Sequence, residues 1–553
     1  MDLSRKCVIQ MKVSQYYKRI IYAVCAFLFV IIDWTRGSQV GSTWAWTVNC
    51  LGVLLCIILL TTDGWILKSK KETAIALIVL PIILVIGYTW WNNHQVVIYR
   101  DKLLTALINV WIMIICGIHL WKKKSHFRKA YSPLAIMTIL LFAMMFLSVN
   151  EDFWPFWFGI LFLLVYGWGI EESEIPQIVN GLIDGIMLSF FPLQAAAFVF
   201  RPYDNENYRY LGIYSNANMN ALFYCIVLVA SLIRLFQLRR KNQSKWKKVI
   251  FFLYSVALFA FILLTLSKTA WVAVFACLVV YVFVVDAKQL EKKAGWIIRQ
   301  ILIWFVAVII MVPLVYLPVR YIPPFFHHPI WYEGEYAEWR IHSWDPVDSE
   351  KYVSFEELCS GISNRLEPIV NRILHNNAGL QKVVAAEDDF NPYGITVRDK
   401  FYPYDDEYTQ RYSSYLGRLA IWDYYISHGN LKGHSNQDGH KVGIGLVYVW
   451  HSQNLFLQIW YYYGVLSGIL LVLILIGAIA KAYKRALGED LNYAGVFVAL
   501  YLTLFVLYGL FEAVWYPGQA ILTLAVFTPV LLSEKKTSNV ELVENEEIAN
   551  SSL

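Results

Sequence analysis

Leu416-Gly417-Arg418-Leu419-Ala420-Ile421-Trp422 and His451-Ser452-Gln453-Asn454-Leu455-Phe456-Leu457-Gln458 bracket a Gly- and His-rich passage. After it the chain stays apolar for about twenty residues, the length that crosses a bilayer. A long polar segment therefore ends at this junction and a membrane span begins. If the second block is helical, His451, Asn454 and Gln458 stand at i, i+3 and i+7, on one face. An imidazole and two amides are then lined up where a helix enters lipid. Polar groups at such a boundary need a reason, which the rest of the chain must supply.

Working outward, the 553 residues are 58% hydrophobic and 16% charged, with a mean hydropathy of +0.48. Ordinary soluble domains carry roughly a quarter charged residues. The apolar residues come in blocks of about eighteen or more, which reads as an all-α polytopic membrane protein. Hydropathy predicts about fourteen spans. Their limits are 19–34, 43–62, 73–90, 103–121, 131–149, 154–170, 178–200, 215–236, 249–267, 270–286, 297–317, 453–480, 492–511 and 518–533. A basic flank precedes the first span and no A-x-A-like cleavage site closes it, so an uncleaved span is expected.

With the N-terminus inside, about thirty Lys and Arg fall on the inner side against roughly six in the short outer loops. Both termini are thus expected in the cytoplasm and the long segment outside. The expected organisation is spans one to eleven over 1–317, a large extracytoplasmic loop domain over 318–452 and the last three spans over 453–533. Residues 534–553 form an acidic cytoplasmic tail, expected to be disordered. Charged residues mixed with Tyr and Trp suggest that the loop domain folds, in part as helix. The net charge of +6 does not point to nucleic acid, because the basic residues sit in short clusters between spans. Of eight cysteines only Cys359 lies in the long segment, so no disulfide framework is expected.

Three further positions on the outer side carry polar groups. Tyr208-Arg209-Tyr210-Leu211-Gly212 leads into Asn216, Asn218 and Asn220 at the start of a span, with Asn216 and Asn220 at i, i+4. An Arg and Tyr anchor with a helix cap is the ordinary reading, but three Asn within five residues exceed what capping needs. Ser267-Lys268-Thr269-Ala270-Trp271 occupies a tight turn between two spans. A lone Lys there ordinarily snorkels to the interface. Together, Lys268, Arg209 and Arg418 would be converging cations above a membrane, which a lipid-linked phosphate or pyrophosphate requires. Glu512, just after a span, reads as a solvated carboxylate or as the ion partner of one of these cations.

Other patterns are weaker. His428, His434 and His440 recur every six residues with Asp438 nearby, a period that fits neither helical zinc-ligand spacing nor a standard loop motif. A solvated Gly-rich loop is the better reading. Gly443-Ile444-Gly445 has no βαβ setting and is no dinucleotide fingerprint. The first outer loop offers only Asp33, and Glu387-Asp388-Asp389 reads as a solvated face. No metal or cofactor is therefore expected.

These residues resemble the bacterial O-antigen ligase and Wzy-type polysaccharide polymerase superfamily. Arg209 to Asn220 is similar to the family's arginine followed by a glycine and an Asn-rich helix start. Ser267 to Trp271 is similar to its serine–basic–small–aromatic turn, with Lys268 where arginine is usual. Arg418 to Trp422 and His451 to Gln458 are similar to its arginine–tryptophan and histidine–asparagine signature. The likeness covers roughly 205–470 and extends toward Glu512 to Pro517; Ala217 stands where the family often has proline.

The resemblance implies a GT-C-like bundle of about fourteen transmembrane helices with one large external loop domain. It also implies transfer of a glycan from an undecaprenyl-pyrophosphate donor to a sugar hydroxyl on an acceptor at the outer face. Arg209, Arg418 and Lys268 would stabilise the leaving pyrophosphate in place of a metal, and His451 would be the base. Asn216, Asn220, Trp422, Asn454, Gln458 and Glu512 would bind substrate or orient the imidazole. The lipid bilayer, a flippase and chain-length regulators would be the partners.

A polymerase building capsule, exopolysaccharide or O-antigen is the leading expectation, and a ligase using the same chemistry the alternative. A non-enzymatic flippase or transporter should carry ionisable groups deep in the bundle and an internal repeat. Here Asp184 is the clearest interior acid and no repeat is evident.

Overall fold

A computed structural model describes residues 133–150, 175–199, 203–204, 209–212, 217–241, 243–287, 294–326, 354–374, 415–435, 443–444, 447–448, 452–487 and 493–512, with scattered positions within 19–31, 74–89 and 155–159. Predicted spans 43–62, 103–121 and 518–533, most of 154–170, the tail, Asp33, Glu387 to Asp389, Asp438 and His440 lie outside them. So do Asn216 and His451; of Arg418 only the backbone is described.

Among the described residues, helix dominates, with two short antiparallel pairings beside it; a π-helical stretch, Val280–Ala287, and a single turn, Pro323–Phe326, follow the fifth and sixth helices named below. The helices are α1 (Pro133–Phe146), α2 (Ile175–Val199), α3 (Ala217–Arg240), α4 (Lys245–Leu264), α5 (Lys268–Val279) and α6 (Ala294–Tyr321). Beyond a gap follow α7 (Phe355–Leu374), α8 (Tyr415–Ser427), α9 (Leu455–Tyr462), α10 (Val465–Ala486) and α11 (Tyr493–Gly509). Strand β1 (Tyr203–Asp204) pairs with β2 (Arg209–Tyr210), and β3 (Gly443–Ile444) with β4 (Val447–Tyr448).

Helix α3 is the axis of the bundle. Most of its length is apolar on every side, the pattern of a helix kept from water all round by other helices or by lipid. Its apolar window is 89% buried, and α2, α4, α5 and α11 pack around it. Helix α6 is the opposite case, with 22% of its window buried and Ile298, Leu302, Phe305 and Ile309 exposed. Water penalises such a face and hydrocarbon does not. Five described helices are long and apolar enough to cross a membrane: Pro176–Val199, Ala217–Arg240, Lys245–Leu264, Gly295–Tyr321 and Val465–Ala486. The chain is a mostly helical membrane protein, as its composition requires.

Two local features differ from or sharpen the sequence reading. The expected turn near 267–270 is present, and α4 gives way to α5 across Thr265, Leu266 and Ser267. Thr265 Oγ1 donates back to the Ile262 carbonyl at 2.7 Å, and Ser267 N-caps α5 by accepting from the Ala270 amide at 3.4 Å. The apolar run expected to be one span over 453–480 is instead two helices, α9 and α10. Gly464 separates them at φ +93°, a left-handed conformation that only glycine adopts cheaply. A Cβ there would lie 2.5 Å from the Leu431 carbonyl oxygen. Loop 428–435 therefore backs directly onto the break, and the helix of spanning length begins at Val465.

Candidate functional site

The site grows from the α4–α5 turn. Leu266 has φ +49°, a left-handed conformation that costs a non-glycine residue on the order of 1 kcal/mol. Two guanidiniums hang from consecutive carbonyls of this turn. Arg209 Nε, on β2, donates to the Thr265 carbonyl at 3.1 Å. Arg365 Nη1, on α7, donates to the Leu266 carbonyl at 2.8 Å. Burial and the neighbouring positive charge of Arg209 lower the pKa of Arg365, although a guanidinium stays charged at any physiological pH. Lys268, exposed on the first turn of α5, follows directly.

Arg209 is also joined to the far end of the chain. Its Nη2 donates to Asn218 Oδ1, and Asn218 Nδ2 donates to Glu512 Oε1. The Tyr508 hydroxyl donates to the Asn218 carbonyl. Glu512 caps the last turn of α11 with its own amide, 3.0 Å from the Tyr508 carbonyl. Glu512 is thus linked to Arg209 through one intervening amide. Asn220 points elsewhere: it is buried and donates to the Tyr210 carbonyl at 3.3 Å. Its role is to hold the 209–212 segment against α3.

A second group of contacts organises the residue after His451. Ser452 donates its amide to Gln458 Oε1 at 2.8 Å and its hydroxyl to the Asn454 carbonyl at 2.5 Å. Its carbonyl accepts from Trp422 Nε1 at 3.1 Å. Asn454 is the N-cap of α9, extended at φ −154°, and not a member of the helix. Its Oδ1 accepts from the Phe456 and Leu457 amides at 2.9 and 3.1 Å, satisfying donors that the first turn leaves open. Asn454 therefore caps the helix that carries Gln458 and does not share a helical face with it, because an Asn before an apolar run is a better cap than helix residue. Gln453, between them, is the other non-glycine residue at positive φ, +50°.

These groups join. Asn454 Nδ2 donates to the Leu510 carbonyl at 3.0 Å, two residues before Glu512. A continuous path runs from Trp422 through Ser452 and Asn454 to Leu510, and from Glu512 through Asn218 and Arg209 to Thr265. It draws on the Arg209–Asn220 stretch, Trp422, the Ser452–Gln458 stretch and Glu512, and ends at Thr265, just before the Ser267-Lys268 turn. Backbone positions place Arg418 one turn before Trp422 on α8.

The sequence reading missed Arg365 and Tyr508, and noted Asn218 only as one of three Asn without a role of its own. A signal for Arg365 exists: Ser354-Phe355-Glu356-Glu357 is a capping box, with the Ser354 amide 2.6 Å from Glu357 Oε2 and the Glu357 amide 3.1 Å from Ser354 Oγ. Leu358, Ile362 and Arg365 follow at i, i+4 and i+7 of the helix it starts.

His428 and His434 are packed as structural residues. The His428 ring stacks on Tyr424 at 4.0 Å and that of His434 on Tyr461 at 3.7 Å. His434 Nδ1 lies 2.9 Å from the Tyr461 carbonyl. Among the described residues no cluster of His, Cys, Asp or Glu could hold a metal ion. No protein-family model, curated protein or solved structure matches the chain.

Proposed function

We propose that this protein is a membrane glycosyltransferase that joins undecaprenyl-pyrophosphate-linked oligosaccharide repeat units at the outer face of the cytoplasmic membrane. The observation that carries the reading is the convergence of Arg209, Glu512, the Ser267-Lys268 turn and the Trp422–Ser452 contact on one hydrogen-bonded path, although they span some three hundred residues of sequence. Cleavage of the anomeric carbon–oxygen bond leaves a lipid pyrophosphate. Arg209, Arg418 and Lys268 supply positive charge where that negative charge develops. His451 takes the acceptor hydroxyl proton. Trp422, Asn454 and Gln458 hold Ser452. Glu512, reaching Arg209 through Asn218, helps to aim the guanidinium.

The test is reconstitution of the purified chain with a lipid-linked repeat unit. A ladder of repeat lengths on lipid pyrophosphate is the expected product. Transfer of a finished glycan to a different acceptor, with no ladder, would identify a ligase using the same site.

A further inference from the structure

At the end of α3 away from the α4–α5 turn, three segments share one carboxylate. Asp184 of α2 accepts on Oδ2 from Nε and Nη2 of Arg19, which opens the first apolar segment, and on Oδ1 from Arg234 of α3. Two guanidiniums against one carboxylate leave an excess of one positive charge. A Cβ on Gly181 would meet Tyr22 and the Arg19 carbonyl, and one on Gly185 would meet Ala23 and Ala26. The first segment and α2 therefore run in parallel. Helix α3 runs against them, since Tyr224 meets Gln194 while Arg234, later in the chain, meets Asp184. It ends at Arg239 and Arg240, on the side that the basic loops assign to the cytoplasm. Asp184 is about 12 Å along its membrane helix from Pro176, and Arg234 about 9 Å short of Arg240. The excess charge thus lies below the basic ends, where charge is costly unless a counter-charge joins it.

Arg19 is the open side of this cluster. Its side chain is 35% exposed, against 13% for Arg234. Its bonds to Asp184 use two of its five N–H donors, and the pair on Nη1 meets no acceptor among the described residues. On the face of α2 that carries Asp184, Leu188 and Phe191 follow at i+4 and i+7, deeper in the membrane and both exposed. A cationic head therefore stands over an apolar strip. We propose that this groove binds an anionic phospholipid of the inner leaflet, its phosphate on the open edge of Arg19 and an acyl chain along Leu188 and Phe191. A planar guanidinium can keep its carboxylate and still offer a second edge to phosphate. A zwitterionic headgroup brings no net charge and leaves the excess in place, and a free anion leaves the apolar strip uncovered. The site is separate from the transfer chemistry proposed at the other end of α3 and does not depend on it.

The experiment uses the full chain in neutral detergent, with phosphatidylglycerol or phosphatidylcholine added and retained lipid counted by native mass spectrometry. A phosphatidylglycerol carrying a photoreactive diazirine in its acyl chain maps the contact. Arg19→Gln and Asp184→Asn both break the Arg19–Asp184 pair, but the first removes positive charge and the second adds it. Expected in the wild type is a preference of about fivefold for phosphatidylglycerol, the worth of one basic residue at an anionic surface, with cross-links within 186–193. R19Q should lose that preference and D184N should keep or raise it. Equal retention of the two lipids by the wild type, cross-links that avoid 186–193, or full preference in R19Q overturns the inference. The two wild-type arms decide even where R19Q does not fold. Glycerol phosphate that displaces the lipid at equal concentration shows a free-anion site and overturns the lipid assignment.

Discussion

The two ends of α3 treat charge in opposite ways. Asn218 and Arg234 are about 24 Å apart along the same helix at 1.5 Å per residue. At the Arg234 end, Asp184 takes a guanidinium directly on each oxygen. Arg19 Nε and Nη2 reach Oδ2 at 2.8 and 2.6 Å, and Arg234 Nη2 meets Oδ1. Gln237 and Asn180 complete that cluster. At the Asn218 end, Arg209 donates to an amide and a carbonyl and Arg365 to a carbonyl, all neutral acceptors.

An acid saturated by two arginines is a structural clamp. At the other end the guanidiniums of Arg209 and Arg365 tie β2 and α7 to consecutive carbonyls of one turn. The glycines agree: Gly181 and Gly185 flank Asp184, and a Cβ on them would fall 2.3 Å from Tyr22 Cβ and 2.2 Å from the Ala23 carbonyl oxygen. This is the close small-residue contact by which membrane helices pack. The interior acid that a transporter reading would use is thus spent on holding the first apolar segment to α2.

The contrast can be broken or sharpened by mutation. The largest effect is expected from His451→Ala, which should lower polymer formation by about 10²–10⁴-fold in folded protein, the range for loss of a general base. A folded mutant that extends lipid-linked repeats at the normal rate would remove His451 from the mechanism.

Arg209→Lys is expected to cost about 10–100-fold in kcat/KM for the donor, since one ammonium cannot span the Thr265 carbonyl and Asn218 in a fixed fork. Unchanged kcat/KM would make the Asn218 end as structural as the other.

Asp184→Asn should do the reverse. With side chains 13–35% exposed, the loss is on the order of 2 kcal/mol of stability, between the limits for surface and buried pairs. Thermal unfolding in detergent measures it, while turnover per folded molecule should stay at the wild-type value. Lost turnover with normal stability would erase the distinction between the two ends.

The smallest effect belongs to Ser354→Ala, which removes the capping box of α7 and about 1 kcal/mol from that helix. Faster hydrogen exchange confined to 354–367, with the α3 core unaffected, is the expected readout.

How much was legible depends on how local each property is. Apolar runs announced α2, α3, α4, α6 and α10, because crossing a bilayer is a matter of length and composition. The α4–α5 turn was also visible, since so few residues separate two apolar runs. The break at Gly464 was not, because its cause is contact with the Leu431 carbonyl from another loop. Asn216, Asn218 and Asn220 are indistinguishable as residues, yet Asn220 is buried against Gly212 and Tyr210 while Asn218 bridges Arg209 and Glu512. Helical rotation separates neighbours by about 100° each, so only the packing around α3 decides which one faces the cation.

By itself, then, the sequence determined that this chain is helical and belongs in a membrane, and it supplied the polar residues that hydrocarbon would not tolerate without a reason. The tertiary structure decided which of them meet. Burial and capping depend on a residue and its near neighbours. The meeting of Arg209, Glu512 and Arg365 depends on three segments far apart in the chain packing against one turn, and no local preference encodes that.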